Sequence, residues 1–313
     1  MMSPSFTRGS SFASYRIVER LGTSVFLVED AGGRSAALRI LPDAAPDLLA
    51  RCFTEACSVS GPSSIARTYD VGVVGERAFI VTELVDGQSL ARYLRRSGRL
   101  STTEAIKIAQ RIARALAAIH ERGLAHGSVD LESILVCDDN EIALHGFGLA
   151  ALGGGDPMSC LESLALPIYT SPEQCRSSTS YDARSDLYAL GCILFQLLSG
   201  HPPFRSLRIG ELVTSHMMAP PPSLPASIPR ALRDLVPQLL AKNPDERPSA
   251  QYVIHALGGV LEDIELAAVP RAPLRWIAAF AVTFCLVIPL AYKHVVEKAP
   301  DIFHALDVRS LPR

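Results

Sequence analysis

The sequence has no excess of either charge: 30 lysines and arginines stand against 32 aspartates and glutamates, a formal net charge of -2. That balance lacks the basic footprint of a nucleic-acid binder, so nucleic acid is not an expected partner. A cysteine framework is missing too. The seven cysteines, Cys52, Cys57, Cys137, Cys160, Cys175, Cys192 and Cys285, are odd in number and irregular in spacing, which argues against a zinc site and a disulfide scaffold and fits reduced thiols in the cytosol. There are no internal repeats. Residues 1–14 are Ser-rich without a long apolar core, so no signal peptide is expected and the main domain is expected to stay in the cytosol.

Long apolar runs are scarce, with one exception near the far end. Trp276 to Tyr292 runs seventeen residues without a charge between Arg275 and Lys293, a reach of about 25 Å at ~1.5 Å per residue, which is the short end of what spans a bilayer. A buried core helix is the alternative. Spanning is the expectation, because the run follows the apparent end of the globular part and has nothing left there to pack against. Pro289 is tolerable near such a helix end. Lysines and arginines on the two flanks (Arg271 and Arg275 against Lys293, Lys298 and Arg309) do not settle orientation. The large preceding domain without an export signal places the N-terminus inside and the tail outside.

What is present is a chain of 313 residues, 48% of them hydrophobic, enough for one large or two modest domains with a real core. From Tyr15 to about Val85 the pattern is mostly strands. Arg16 to Arg20, Val25 to Glu29, Ala36 to Leu41 and Ala78 to Glu83 alternate or run apolar, with Gly32-Gly33 as a hairpin turn. One helical stretch, Asp47 to Val59, interrupts them. After Gly87 the pattern becomes helical: a short helix over Ser89 to Ser97, then one opened by Ser101 with Glu104 as a capping box and a stripe of Ile108, Ile112, Leu116 and Ile119. Lys107, Arg111 and Arg114 hold its other face half exposed. Ser185 to Ser199 is apolar around most of its circumference and stops at Gly200, so it belongs in the middle of a core. Met218 to Pro229 is Pro-rich and reads as a surface crossing, and Ser249 to Leu266 reads as a closing helix.

Several short motifs lie along this frame. In order they are Tyr15-Arg-Ile-Val-Glu-Arg-Leu-Gly22, Ala36-Ala-Leu-Arg39, Phe53-Thr-Glu55, Thr82-Glu-Leu-Val85, His126-Gly-Ser128, Gly146-Phe-Gly148, Ser171-Pro-Glu173, Ser185-Asp-Leu-Tyr-Ala-Leu-Gly191 and Asn243-Pro-Asp-Glu-Arg-Pro248. Nine motifs in this order and spacing resemble the bacterial Ser/Thr (Hanks-type) protein kinase family, over roughly Tyr15 to Leu266. The resemblance implies an α+β, bilobal fold: residues 15–267 as the kinase-like domain, with a small β-rich lobe over 15–86 and a larger helical lobe over 87–267. Residues 1–14 would be a flexible lead, 268–275 a juxtamembrane linker, 276–292 the transmembrane helix and 293–313 a short tail.

The same resemblance implies that the scaffold is kept and the chemistry lost. Glu173 and Arg247 would form a buried ion pair, and His126, Phe147 and Asp186 would be structural. Phosphoryl transfer needs positioning and charge neutralisation from four parts, and each departs from the family pattern here. The Gly-rich loop, Gly22-Thr23-Ser24-Val25, is four residues shorter than the pattern and keeps one glycine. The strand lysine is Arg39, whose planar fork does not reproduce an ammonium and whose expected role is pairing with Glu55. The catalytic aspartate is Ser128, and losing a positioned base alone costs about 10² to 10⁴ in rate. The arginine before it is Gly127, which speaks against control by a phosphorylated activation segment. Both oxygen ligands for Mg²⁺ are replaced, by Gly146 and Ser133. Asp130 stands in place of a phosphate-contacting lysine. His145, Asp130 and Glu132 are the nearby substitutes, though histidine suits Mg²⁺ poorly.

Val25, Ala37 and Leu135, with Gly22, Thr82 and the backbone of Glu83 to Val85, occupy the places of the family's adenine pocket. Either they fill core, or they hold nucleotide weakly and without metal. The expectation is therefore a membrane-anchored pseudokinase that is not an enzyme and needs no cofactor. It would bind a cytosolic protein through its helical lobe and the segment Leu149 to Thr170, where Gly153-Gly154-Gly155 is expected to be mobile. The alternatives are a slow Ser/Thr kinase with a rearranged site and a metal-independent sensor of ATP or ADP.

Overall fold

The computed structural model describes residues 6–22, 24–41, 64–75, 77–98, 100–138, 141–146, 168–177 and 180–268. Six strands pair antiparallel in the order β1-β2-β3-β4-β6-β5: β1 (Ser11–Phe12), β2 (Tyr15–Arg20), β3 (Val25–Glu29), β4 (Ser35–Ile40), β5 (Thr68–Val74) and β6 (Arg77–Glu83). Between β3 and β4 the carboxylate of Asp30 accepts from the backbone N–H groups of Gly32 and Arg34, closing the hairpin. One face of the sheet carries Phe12, Tyr15, Ile17, Phe26, Leu38 and Phe79 in a small core. Phe6 seals it, its ring stacked 5.1 Å from that of Phe26.

The opposite face follows from the register. Val25 pairs with Arg39 and Leu27 with Ala37, while Ala37 pairs with Thr82 and Arg39 with Ile80. Directly opposed residues share a face of the sheet, so Val25, Ala37, Arg39, Ile80 and Thr82 form one continuous surface. On β5, a Cβ at Gly72 would come within 2.8 Å of the Phe79 ring, which is why that strand carries a glycine in its middle.

Below the sheet, β7 (Gln88–Ser89), β8 (Ile134–Val136) and β9 (Ile142–Leu144) form a three-stranded ribbon, followed by a helical body. Its described helices are α1 (Leu90–Ser97), α2 (Thr102–His120), α3 (Pro172–Arg176), α4 (Ala183–Ser199), α5 (Ile209–Met218), α6 (Arg230–Leu239) and α7 (Ala250–Ala268). The capping box expected at Ser101 and Glu104 opens α2, with both reciprocal bonds made. Helix α4 starts two residues before the expected Ser185, because Asp182 takes the cap position and accepts from the Arg184 N–H. Nearly all of α4 is buried, including Leu187, Tyr188, Leu190, Ile193, Leu194 and Phe195, and it ends at Gly200 with φ +84°. Burying each such side chain contributes about 1.5–3 kcal/mol, so α4 is the spine on which α2 and α6 pack in one continuous core.

The expected helix over Asp47 to Val59 lies outside the described residues. So do the run 276–292, its flanking linker and tail, and most of the segment Leu149 to Thr170. No helix among the described residues is long and apolar enough to cross a membrane. The chain divides into compact units after Ile264.

Candidate functional site

The sheet surface built by β3, β4 and β6 faces a cleft of about 650 Å³. Val25, Ala37, Ile80 and Leu135 line it, together with the connection Glu83 to Val85, and so do Arg39, Glu132, His145 and Gly146. All seven residues expected at a nucleotide pocket, Gly22, Val25, Ala37, Thr82, Glu83, Val85 and Leu135, are brought together here. Arg39 and Gly146 join them, whereas Ser128, Asp130 and Ser133 are not among the lining residues. Arg92 and Arg95 on α1 also line the cleft, a position that no local sequence pattern marks.

The roof of the cleft is a closed hairpin. The backbone N–H groups of Leu21 and Gly22 both donate to the carbonyl oxygen of Val25, at 2.9 and 3.0 Å. A phosphate-cradling loop uses its N–H groups on the ligand; these two are already spent within the turn.

Beneath the cleft the backbone hangs from one buried carboxylate. Asp186, on the first turn of α4, accepts from the N–H of His126 at 2.8 Å and the N–H of Gly127 at 2.7 Å, and from His120 Nε2 at 2.9 Å. The His126 ring is fully buried; the Ser128 N–H donates to its Nδ1 at 3.3 Å, so its Nε2–H donates to the His145 carbonyl at 3.2 Å. Burial holds His126 neutral by lowering its pKa. Gly127 sits at φ +75°, where a Cβ is strained, and its carbonyl accepts from Gln174 at 2.6 Å. A second anchor ties α3 to the turn before α7. Arg247 donates to both carboxylate oxygens of Glu173, at 2.7 and 2.8 Å, and to the carbonyls of Ala241 and Arg184.

At the positions that would carry chemistry, the groups are absent or already bonded. Gly146 offers no side chain and lies at φ +83°. Ser133 Oγ accepts from the Asp130 N–H at 2.9 Å and donates to the Asp130 carbonyl at 3.0 Å. Its own N–H donates to Asp130 Oδ1 at 2.6 Å. This closed exchange uses the serine hydroxyl twice and turns the aspartate toward the backbone. Burial lowers the pKa of Arg39, while Asp130 and Glu132 push it back up. His145 donates Nε2–H to the Glu132 carbonyl at 2.8 Å; burial first, then the Arg39 charge, pull its pKa down to about 3. It is a neutral imidazole at any physiological pH, already oriented by the backbone. Among the described residues no cluster of three or more His, Cys, Asp or Glu is arranged to hold a metal ion. Glu55, Phe147 and Thr23 lie outside the described residues, so the expected pairing of Arg39 with Glu55 is not described.

A strand-rich lobe and a helical lobe, with a cleft between a sheet face and a loop hung from a buried aspartate, define a bilobal α+β domain. Residues 54–257 match the protein kinase domain family model, and the chain belongs to that family. It is similar to bacterial Ser/Thr protein kinases. Identity is 33% over 209 residues with PkaA of Streptomyces coelicolor, covering 66% of this chain and 38% of the relative. It is 31% over 255 residues with PknD of Mycobacterium tuberculosis, covering 76% and 38%, and 30% over 231 residues with PknA of the same species, covering 70% and 53%. The chain thus spans between about a third and a half of the length of these relatives.

Proposed function

We propose that the chain is a pseudokinase, a kinase-fold module without phosphoryl transfer that binds and regulates a cytosolic protein. One observation carries this reading: where the family's transfer site needs two oxygen ligands for a divalent ion, one place is the bare backbone of Gly146 and the other is Ser133, whose hydroxyl is closed on Asp130. Without the ion a migrating phosphate lacks the group that bridges and neutralises its oxygens in the family's reaction. Ser128 has no carboxylate to accept a proton, and the N–H groups of Leu21 and Gly22 are engaged on Val25. The scaffold around Asp186 and Arg247 is complete, so the fold persists as a binding surface. Residues 276–292 would hold the module at the inner membrane with the folded domain in the cytosol, and no metal or nucleic acid would take part.

Phosphate transfer from ATP by the purified chain tests the reading. The parent is expected to incorporate none above a chelated control. The combined variant Arg39→Lys, Ser128→Asp, Ser133→Asn, Gly146→Asp is expected to gain measurable transfer. Magnesium-dependent incorporation by the parent overturns the proposal. The partner arm is tested by recovery from membranes of wild type against a replacement of residues 149–170, where equal recovery counts against that surface. Deleting 276–292 should release the chain from the membrane fraction.

A second reading, a slow Ser/Thr kinase, is favoured by the intact hydrogen-bonded frame under the cleft, His126 and Gly127 on Asp186, and by the kinase names of the relatives. It requires Glu132, which already lines the cleft, or Asp130, which would have to turn into it, to seat the metal, and the same transfer assay separates the two.

A further inference from the structure

The six-stranded sheet carries a second pocket, on the face turned away from the cleft. Neighbouring residues of a strand point to opposite faces. Val25 and Arg39 line the cleft, so Phe26 and Ile40, next to them on β3 and β4, line a cavity of about 340 Å³ on the other side. Phe6, Arg20, Ser24 and Arg77 complete it. We propose that this pocket is a docking site for an acidic peptide segment of a partner protein, with one aromatic side chain laid on its floor and a flanking carboxylate held by its two arginines. The site stands apart from the cleft and does not depend on whether the cleft transfers phosphate.

The floor is a pair of stacked rings. Phe6 and Phe26 lie 5.1 Å apart with their planes 28° from parallel, and half-buried Ile40 extends the apolar surface. Each ring carries a guanidinium: Arg20 stands 5.8 Å from the centre of Phe26 and Arg77 5.2 Å from that of Phe6. A guanidinium stacked by its face meets a carboxylate with its edge, where the planar fork matches two oxygens. Arg20 is further fixed by donating Nε–H to the Gly22 carbonyl at 2.9 Å, and Arg77 is half-buried, so both cations are placed before a ligand arrives and lose less freedom on binding. Among the described residues no aspartate or glutamate lines the pocket. Its wall is positive and complements an anion. The apolar floor adds the second requirement, because a bare phosphate would leave the rings and Ile40 uncovered, whereas an aromatic side chain beside a carboxylate uses floor and wall together. The volume is at the small end of ligand pockets and suits one large side chain with its neighbour.

The test is calorimetric titration of the full chain with an acetylated, amidated pentapeptide in which one phenylalanine is flanked by two glutamates on each side. Saturable binding with a Kd of about 1 mM or tighter is expected at low salt, weakening about fivefold or more at ~0.5 M salt. Alanine in place of the peptide's phenylalanine, or glutamine in place of its glutamates, should each weaken binding about tenfold. Arg20→Glu with Arg77→Glu should abolish it, whereas Arg96→Glu with Arg114→Glu, the same change of charge on exposed helical surface, should leave it within about twofold. Should the first pair fail to fold, the neutral pair Arg20→Gln with Arg77→Gln replaces it and should weaken binding about tenfold. The proposal is overturned by no saturable binding up to ~5 mM peptide, by equal losses in the two charge-reversed proteins, by an alanine peptide that binds as well as the phenylalanine one, or by inorganic phosphate that displaces the peptide as effectively as free peptide does. None of these outcomes touches the transfer assay of the pseudokinase reading, so the two are judged separately.

Discussion

Arg247 and Glu173 form a bidentate pair in which the arginine side chain has no exposed surface and the glutamate side chain keeps 14%. Ser185 adds a third bond to the same carboxylate, at 2.6 Å. Removing one partner strands a buried charge, so Glu173→Ala is expected to lower stability by about 3–5 kcal/mol. The double change Glu173→Leu with Arg247→Met should recover most of that loss. Urea denaturation of the three proteins measures both effects.

Asp186 holds two successive N–H groups of the loop beneath the cleft. Asp186→Ala leaves the buried N–H groups of His126 and Gly127 without acceptors, at about 1–3 kcal/mol each. The expected readout is a stability loss of about 3 kcal/mol or more, with faster amide exchange at residues 126–128 than elsewhere in the helical lobe. Uniform acceleration throughout would indicate a general loss of fold instead.

Two histidines with lowered pKa values, one half-buried and one buried, contribute to the acid limit. His145 and His216 are pulled down to about 3, in both cases mainly by burial. A depressed folded pKa means that the unfolded chain binds more protons between about 6.5 and 3, so their stabilising contribution is complete above about pH 6.5 and is lost as pH falls through that window. Each adds a slope of about 1.4 kcal/mol per pH unit there. His216→Phe should flatten the dependence of the melting temperature on pH between about 6 and 4, and an unchanged slope would contradict the assignment.

Gly127 and Gly146 hold positive φ beside the cleft, +75° and +83°. Alanine at either place is expected to cost about 1–2 kcal/mol, and aspartate or asparagine less, because their side chains tolerate this region better. The comparison of Gly146→Ala with Gly146→Asp by thermal melting tests it. It also bears on the transfer assay, since the restoring aspartate must be accommodated before its chemistry is judged.

Much of the scaffold was legible because it is written in long periodic segments. The stripe of α2 with its Ser101 and Glu104 cap, the apolar girth of α4, and the alternating strands β2 to β4 each announce themselves. The ribbon β7 to β9 does not, since strands of two and three residues are too short to show a period. Helix α6 had a usable signal, Leu232, Leu235, Val236 and Leu239 buried at helical spacing, obscured by Pro237 within it. At the site, residue identities at the altered positions were readable, and their consequences were not. That Ser133 is consumed by Asp130, or that the Gly22 hairpin spends its own N–H groups, depends on hydrogen-bond directions that spacing does not encode.

Whether the cleft seats a divalent ion decides the account, and Mn²⁺ titration followed by electron paramagnetic resonance measures it most directly. With ATP present, adding the chain is expected to leave the free and ATP-bound Mn²⁺ signals unchanged. A saturable, protein-dependent loss of signal that disappears in Ala37→Phe would show an ion held with nucleotide in the cleft and contradict it.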